Sequence, residues 1–234
     1  MNDRPAPDAS AAFSDRPGPA ERGRFLTFEG GEGAGKSSRI GELAERLRRR
    51  GHEVVVTREP GGSVGAEVVR HVLLSGAAEA FGPLAEAILF AAARADHVDQ
   101  TIRPALARGA WVLCDRFYDS ARVYQGATGD VPVDRLSALE EIAVEDVRPD
   151  LTILLDVPVE IGLARAAARR GTETADRFEK EDVEVHERRR RAFLALARGE
   201  PRRFVVVDAS RDPATVADAV WYGVCSRLGL PEKD

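Results

Sequence analysis

The stretch FEGGEGAGKSS, from Phe28 to Ser38, places a glycine-rich loop between an apolar run and a helical pattern. Residues 30–37 fit the phosphate-loop pattern G-x-x-x-x-G-K-[ST] at every fixed position. Glycines let the backbone approach a polyphosphate closely, so that amide N–H groups and the following helix N-terminus can surround it. The stretch therefore predicts a nucleoside triphosphate site, with a glycine-rich structural turn as the alternative.

The pattern also suggests a role for individual loop residues. Lys36 is expected to reach the β- and γ-phosphates, and Ser37 is expected to bind Mg²⁺. The predicted triphosphate-binding residues are Gly30, Gly31, Glu32, Gly33, Ala34, Gly35, Lys36, Ser37 and Ser38.

Composition narrows the class of protein. Of 234 residues, 44% are apolar and 31% are charged, which is typical of a globular chain. The net charge of −5 gives no basic field that would indicate a polynucleotide partner. Cys114 and Cys225 lack metal-ligand spacing, as do the four histidines, so we interpret the cysteines as buried thiols in a reducing cytoplasm.

The N-terminal residues read as a tail. Residues 1–22 carry acids and prolines and lack the apolar core of a signal peptide, which predicts disorder. No apolar stretch in the sequence is long enough to span a bilayer, so we expect no membrane partner. Residues 23–230 are expected to form one domain.

Short apolar runs alternate with helical patterns along the rest of the chain. Five runs, at 24–29, 53–57, 110–115, 151–156 and 203–208, are nearly continuous in apolar residues, as strands buried on both faces of a parallel sheet are. Amphipathic stripes follow, for example Ile40, Leu43, Ala44 and Leu47, closed by Gly51. This alternation predicts an α/β fold, a five-stranded parallel sheet flanked by helices on both faces.

The segment CDRFYDSARVYQG follows the third predicted strand. Asp115 ends that strand, and ligands of open α/β sheets bind at the carboxyl edge. Its carboxylate could hold Mg²⁺ opposite Ser37. The guanidinium of Arg116 could donate two parallel hydrogen bonds to a second phosphate. A structural Asp–Arg ion pair is an equally good interpretation of this segment alone.

Two further segments bring candidate ligand-binding residues. TREPGG, at 57–62, turns sharply at the same edge and presents Arg58 and Glu59, although a plain turn would look the same. In ILFAAARADH, Phe90 and Arg94 lie one helical turn apart, where they could stack on a base and hydrogen-bond its edge. The alternative is a core phenylalanine beside a surface arginine.

Two arginine-rich segments follow the fourth strand. Arg165, Arg169, Arg170 and Arg177 lie in a helix that breaks into a polar loop, which predicts either a solvated face or a mobile lid at about 165–180 that carries arginines onto a phosphoryl group. The run ERRRR, at 187–191, is interpreted as a solvated helix face without chemistry.

From Arg24 to Leu228 the chain resembles the bacterial thymidylate kinases, P-loop nucleoside monophosphate kinases that make dTDP from dTMP and ATP. The resemblance lies in FEGGEGAGKS, TREPGG, LFAAAR, DRFYDS…YQG, RPDLTILLDV and DRFE, in that order. It implies ATP and dTMP as substrates, Mg²⁺ as cofactor and a homodimer.

The resemblance also implies roles for residues around the acceptor. Phe90 would stack on thymine and Arg94 would reach its O4, while Tyr124 would lie under the deoxyribose. Arg58 and Arg116 would hold the acceptor phosphate, Asp115 would lie near the metal, and Glu32 would lie near the 3′-hydroxyl. The implied substrate-binding residues are Glu32, Arg58, Pro60, Phe90, Arg94, Asp115, Arg116, Ser120, Tyr124 and Gln125. Many bacterial members carry a hydroxyl residue and then a neutral residue where this chain has Ala121 and Arg122.

The catalytic arginine of the family lies either in the phosphate loop or in the lid. The variable loop positions here hold Glu32, Gly33 and Ala34, so the resemblance implies that the lid supplies it. The candidate catalytic residues are Lys36, Arg116, Arg165, Arg169 and Arg170.

Two other functions fit the sequence. A P-loop kinase of a deoxynucleoside or of another nucleotide is the nearer one, and a deoxynucleoside acceptor would need Glu59 or Asp115 as a base. A nucleotide-dependent switch protein is the second, and it would lack an acceptor pocket.

Overall fold

The computed structural model describes residues 22–170 and 181–231. The strands are β1 Phe25–Glu29, β2 Val54–Arg58, β3 Trp111–Asp115, β4 Leu151–Asp156 and β5 Phe204–Asp208. The α-helices are α1 Lys36–Arg49, α2 Val64–Leu74, α3 Gly82–His97, α4 Arg103–Ala107, α5 Tyr118–Ala121, α6 Val133–Val144, α7 Val159–Arg170, α8 Val183–Gly199 and α9 Pro213–Leu228. A 3₁₀ turn, Glu79–Phe81, and two π-helical segments, Val98–Ile102 and Arg122–Ala127, complete these elements.

Two predicted segments fall mostly or partly outside this range. The predicted tail at 1–22 lies outside the described residues except for Arg22, which donates to Asp150 Oδ1 at 2.5 Å. Of the predicted lid, residues 171–180 with Arg177 lie outside the described residues as well.

The described strands form one parallel sheet in the order β2-β3-β1-β4-β5, which confirms the predicted fold. Phe28 of β1 and Arg58 of β2 both stand opposite Asp115 of β3. Because parallel strands all end at the same edge, this register places the phosphate loop, TREPGG and the segment after Asp115 side by side.

The prediction that every strand is buried on both faces is wrong for the two edge strands. The three central strands are buried, but Val56 of β2 and Val206 of β5 are 48% and 49% exposed. An apolar run of valines looks the same in a central and an edge strand, so the sequence pattern does not separate them.

Helices cover both faces of the sheet. On one face, Ile40, Leu43 and Leu47 of α1 pack with Val220 and Val224 of α9 against β1 and β4. Helices α3, α4 and α6 cover the other face. The predicted stop of α1 is confirmed, because Gly51 has a φ of 83° and its N–H donates to Arg48 O at 2.9 Å.

Within the described ranges, no single helix has the length and apolar composition to cross a membrane. One bent pair of helical segments, Val64–Leu74 with Glu79–Ala107, meets both criteria when the two are taken together, by length and composition alone.

Candidate active site

The phosphate loop leaves β1 and runs into α1. Gly30, Gly33 and Gly35 all have positive φ, a conformation that side chains disfavour. The ammonium of Lys36 lies over this loop and donates to Gly30 O at 3.1 Å and to Gly31 O at 3.0 Å. Burial lowers the pKa of Lys36, and the positive charge of Arg116 lowers that pKa further.

The loop also touches the first turn of α7 directly. A Cβ added to Gly33 would lie 1.9 Å from the carbonyl oxygen of Gly162, and one added to Gly162 would lie 2.4 Å from Glu32 O. Neither position has room for a side chain. The loop backbone and α7 are therefore in contact without intervening side chains.

Ser37 and Asp115 form a pair of oxygens at the mouth of the loop. The Ser37 hydroxyl donates to Asp115 Oδ2 at 2.9 Å. Hydroxyl and carboxylate oxygens suit Mg²⁺, which in nucleotide sites takes few protein ligands and completes its shell with phosphates and water. Among the described residues, no three His, Cys, Asp or Glu side chains form a metal cluster, so a metal here would rely on such a sparse set.

Arg116 connects the end of β3 to the phosphate loop. Its φ is 68°, unusual for a residue other than glycine, and its N–H donates to Phe28 O at 2.9 Å. Its guanidinium donates to Glu32 Oε1 at 2.7 Å and to Ser120 Oγ at 3.2 Å. The Tyr124 hydroxyl donates to the same Glu32 oxygen at 3.2 Å.

The charge of Glu32 is set by these neighbours. Burial by itself raises the pKa of Glu32, but the positive charges of Arg116 and Lys36 outweigh it and bring the pKa to about 2. Glu32 is therefore an anion across the physiological pH range.

Arg94 projects from α3 toward the TREPGG turn. It is buried, and its Nε donates to Glu59 Oε2 at 2.8 Å. Glu59 is joined to Pro60 by a cis peptide bond. Because the side chain of Arg94 is buried, its interpretation as a surface residue is wrong. The guanidinium of Arg94 lies 5.4 Å from the centre of the Phe117 ring.

A single cavity of about 300 Å³ brings most of the predicted residues together. The loop contributes Glu32, Gly33, Ala34, Gly35, Lys36 and Ser37 to its wall. The other predicted residues in the wall are Arg58, Pro60, Phe90, Arg94, Asp115, Arg116, Ser120, Tyr124, Gln125 and Arg169. A phosphate loop thus opens into the same space as an aromatic ring and several guanidinium groups.

Comparison with known proteins identifies the family of this chain. The model of the family described as thymidylate kinase matches residues 28–220. The chain belongs to the thymidylate kinase family. It is 57% identical over 213 residues to the thymidylate kinase of Rhodopseudomonas palustris, covering 91% of this chain and 93% of the relative. It is 55% identical over 220 residues to the thymidylate kinase of a Bradyrhizobium species, covering 94% and 96%.

As a member of the thymidylate kinase family, the chain is an ATP-using phosphotransferase. The structure separates its candidate arginines. Arg165 donates to Ala209 O at 2.7 Å and to Ser210 O at 3.2 Å, in the turn after β5. Arg169 lines the cavity, Arg165 does not, and the side chain of Arg170 lies outside the described part of the chain.

Three more predicted loop residues are placed away from the cavity wall. Gly30 and Gly31 line a smaller space between the loop, β4 and α8, and Ser38 is exposed on α1. Arg58 lines the cavity while its guanidinium donates to both oxygens of Glu67, at 3.0 and 3.2 Å.

Glu29 is a site residue that the sequence interpretation missed. It is fully buried at the end of β1 and accepts from Phe117 N at 2.8 Å and Ser120 Oγ at 2.6 Å. Burial, with the negative charge of Asp119 nearby, raises the pKa of Glu29 to about 7. Glu29 thereby holds the segment that carries Arg116, and only its place at the carboxyl end of a strand hinted at this.

The ERRRR run is also more than a solvated face, so that interpretation is wrong. Arg189 is buried and its guanidinium lies 4.2 Å from the centre of the Tyr124 ring. Arg190 donates to both oxygens of Asp156, at 2.7 and 3.0 Å. The signal in the sequence was the spacing of His186, Arg189, Phe193 and Ala197, which fall on one helical stripe.

The departure from the family pattern at Ala121 and Arg122 does not put a new charge into the cavity. Ala121 lines the wall, whereas Arg122 donates to Glu140 at 2.9 and 3.0 Å outside it. The neighbouring Ser120 donates its proton to Glu29, so its oxygen faces Arg116 as an acceptor.

Proposed function

We propose that the chain transfers the γ-phosphoryl group of ATP to dTMP, giving ADP and dTDP for dTTP synthesis. The observation that supports this most is the shared cavity, in which Lys36, Arg94 and Arg116 border the same space. A triphosphate on the loop and a monophosphate near Arg116 would meet there end to end. Membership of the thymidylate kinase family agrees with both substrates.

Electrostatics is the main problem that this reaction presents. A phosphate monoester has its second pKa near ~6, so dTMP is mostly a dianion at neutral pH and needs no general base. The obstacle is the repulsion between two polyanions. Lys36, Arg58, Arg116 and Arg169 bring positive charge to the cavity wall from four different segments, which suits that obstacle.

Ser37 and Asp115 are the residues that we propose hold Mg²⁺. A bound Mg²⁺ supplies further neutralisation of phosphate charge. The 2.9 Å separation of their oxygens means that both groups can face one ion.

Base selection follows from hydrogen-bond donors. The Nε of Arg94 is held by Glu59, so its terminal nitrogens remain for the cavity. An arginine only donates, so it suits O4 of thymine and opposes the N4 amino group of cytosine. The thymine methyl group separates dTMP from dUMP by only about 1–3 kcal/mol.

The sugar is proposed to lie over Tyr124, beside Glu32. The Tyr124 hydroxyl donates to Glu32, and this anion can accept a hydrogen bond from the 3′-hydroxyl. The Tyr124 ring would disfavour an added 2′-hydroxyl.

The alternative functions fit these contacts less well. A deoxynucleoside acceptor needs a carboxylate base, but both oxygens of Glu59 are engaged, by Arg94 and His97. Asp115 faces Ser37. A switch protein gives no reason for an aromatic residue and an arginine beside the phosphate loop.

Release of ADP from ATP is the experiment that separates these functions, with dTMP, dUMP, dCMP and thymidine as acceptors. We expect fast turnover of dTMP, slow but detectable turnover of dUMP, and almost none of dCMP or thymidine. Comparable rates on dCMP would contradict the role of Arg94. Faster turnover of thymidine than of dTMP would favour the deoxynucleoside kinase.

We further propose a homodimer through α2 and α3. Val64, Val68 and Val72 recur every four residues on α2, and the first two are 89% and 65% exposed. Ile88 of the adjacent α3 is exposed too. Such an apolar stripe suits a second copy. Sedimentation of wild type and Val68→Asp tests this: the variant should be monomeric, and an unchanged sedimentation coefficient would exclude this face.

The cellular location is proposed from the thiols. Cys114 and Cys225 are both buried and are not joined in a disulfide, which suits a reducing cytoplasm.

A further inference from the structure

His97 is the residue at the centre of a hydrogen-bonded chain behind the cavity. It ends α3 and is 0% exposed. Its Nδ1 lies 3.1 Å from Glu59 Oε1, and its Nε2 lies 2.7 Å from Thr57 Oγ1. Both ring nitrogens are therefore used, and neither reaches the cavity.

The chemistry of the partners fixes the direction of these bonds. A carboxylate oxygen only accepts, so Nδ1 donates to Glu59, and in the neutral ring Nε2 accepts from the Thr57 hydroxyl. The other oxygen of Glu59 accepts from Arg94 Nε at 2.8 Å. Glu59 thus lies between the imidazole and the guanidinium, with each of its oxygens held by a different donor.

The TREPGG turn is shaped around the ring. A Cβ added to Gly62 would lie 2.4 Å from His97 Nε2 and 2.4 Å from Thr57 Oγ1. The Gly62 carbonyl oxygen in turn accepts from Thr101 Oγ1 at 2.7 Å. Thr57, Glu59 and Gly62 of the motif therefore enclose the His97 ring, which explains why the second glycine is needed there.

We propose that His97 is a positioning residue for base recognition, because it fixes the Glu59 carboxylate and thereby the orientation of the Arg94 fork in the cavity. The inference rests on the proposed contact between Arg94 and thymine. An arginine side chain has many rotamers, and holding its Nε at one point aims its two terminal nitrogens in one direction. Without the Nδ1 donor, Glu59 is held by Arg94 alone, so the two side chains can turn together and the guanidinium of Arg94 loses its fixed direction.

Two variants of His97 test this. Asn places an amide nitrogen where Nδ1 stands, so His97→Asn retains a donor for Glu59. Gln places its amide nearer to the position of Nε2, so His97→Gln loses that donor. We expect His97→Gln to raise the KM for dTMP about tenfold and to lower the dTMP to dCMP preference equally, with the KM for ATP and kcat within about twofold. His97→Asn should stay close to wild type.

A matched control separates positioning from packing. Val98 is the next residue, is equally buried and belongs to the apolar core, so Val98→Ala disturbs the same helix end without touching the chain of hydrogen bonds. Its KM for dTMP should not change. If His97→Gln does not fold, Thr57→Val takes its place, and we expect a rise in the KM for dTMP of about threefold.

The inference is overturned if His97→Gln and Thr57→Val leave the KM for dTMP unchanged. It is also overturned if Val98→Ala raises this KM as much as His97→Gln does. Arg94→Leu distinguishes this from failure of the proposed function. If Arg94→Leu raises the KM and His97→Gln does not, only the role of His97 is wrong. If Arg94→Leu changes nothing, the base contact itself is wrong. If His97 acts through Arg94, adding His97→Gln to Arg94→Leu should not raise the KM for dTMP any further.

Discussion

The Arg116 guanidinium and the Glu32 carboxylate stand 2.7 Å apart and join the end of β3 to the phosphate loop. The two residues thereby connect the proposed acceptor side of the cavity to the proposed donor side. Arg116 also bonds to Ser120, which Glu29 holds. The arginine proposed for the acceptor phosphate is thus oriented before any substrate arrives, which reduces what binding must order.

Glu32→Gln tests that orientation. The variant keeps the shape of the side chain but loses the charge-assisted bond to Arg116, which is worth about 1.5–3 kcal/mol. We expect the KM for dTMP to rise about tenfold or more, with the KM for ATP changing less. Steady-state kinetics with each substrate varied measures this. Asp134→Asn, on the exposed first turn of α6, is the control, and an equal effect there would refute the prediction.

Lys36→Ala should cost turnover and spare acceptor binding. The ammonium folds over Gly30 and Gly31, where a triphosphate would lie, and one such group typically contributes about 10²–10³ or more to kcat. Calorimetric titration with dTMP should give a dissociation constant close to that of wild type. Near-normal turnover in the variant would show that the loop does not bind a triphosphate.

Arg169→Ala and Arg165→Ala should differ. Arg169 lines the cavity, whereas Arg165 lies outside its wall and donates to the carbonyl oxygens of Ala209 and Ser210. We expect Arg169→Ala to lower kcat by about 10³ and Arg165→Ala to lower it by less than about tenfold. Single-turnover rates at saturating ATP make the comparison direct. If Arg165→Ala lowers kcat more than Arg169→Ala does, Arg165 is the residue that acts on the transferring phosphoryl group.

Glu29→Gln should change how stability depends on pH. The raised pKa, about 7 instead of 4.5, means that the folded state binds this proton more tightly than the unfolded state does. As the pH rises from 4.5 to 7, the free energy of unfolding of wild type therefore falls, by on the order of 2–3 kcal/mol from this group. The neutral variant lacks that component.

Urea unfolding at about pH 5 and pH 8 measures the pH effect. Wild type should lose more stability than Glu29→Gln across the interval, and Glu141→Gln, which alters an exposed carboxylate, should follow wild type. Parallel losses in wild type and Glu29→Gln would show that Glu29 titrates at an ordinary pKa.

The sequence was sufficient for the elements that depend on local pattern. The strand order places the ends of β1, β2 and β3 together, so motifs recognised one by one, such as those of Lys36, Arg58 and Arg116, fall into one cavity. Such predictions succeed because a glycine loop or a strand end has a local physical cause.

The pairings between distant residues could not be predicted in the same way. Glu29 meets Ser120, and Glu59 meets His97, only because the sheet brings separate segments together. A buried carboxylate at a strand end has the same sequence appearance as an exposed one. Arg165 and Arg169 illustrate the same limit, since spacing in a helix does not reveal which guanidinium lines the cavity.

The contact between Gly33 and Gly162 sets how closely α7 lies against the phosphate loop. With backbone against backbone at that point, the helix cannot move closer to the loop, and any change in its direction would turn about this contact. Arg169 lies seven residues farther along, about 10 Å at the usual helical rise. A tilt of about 5° would then displace its Cα by about 1 Å, enough to change the fit of a guanidinium to a phosphoryl group, while the loop stays still.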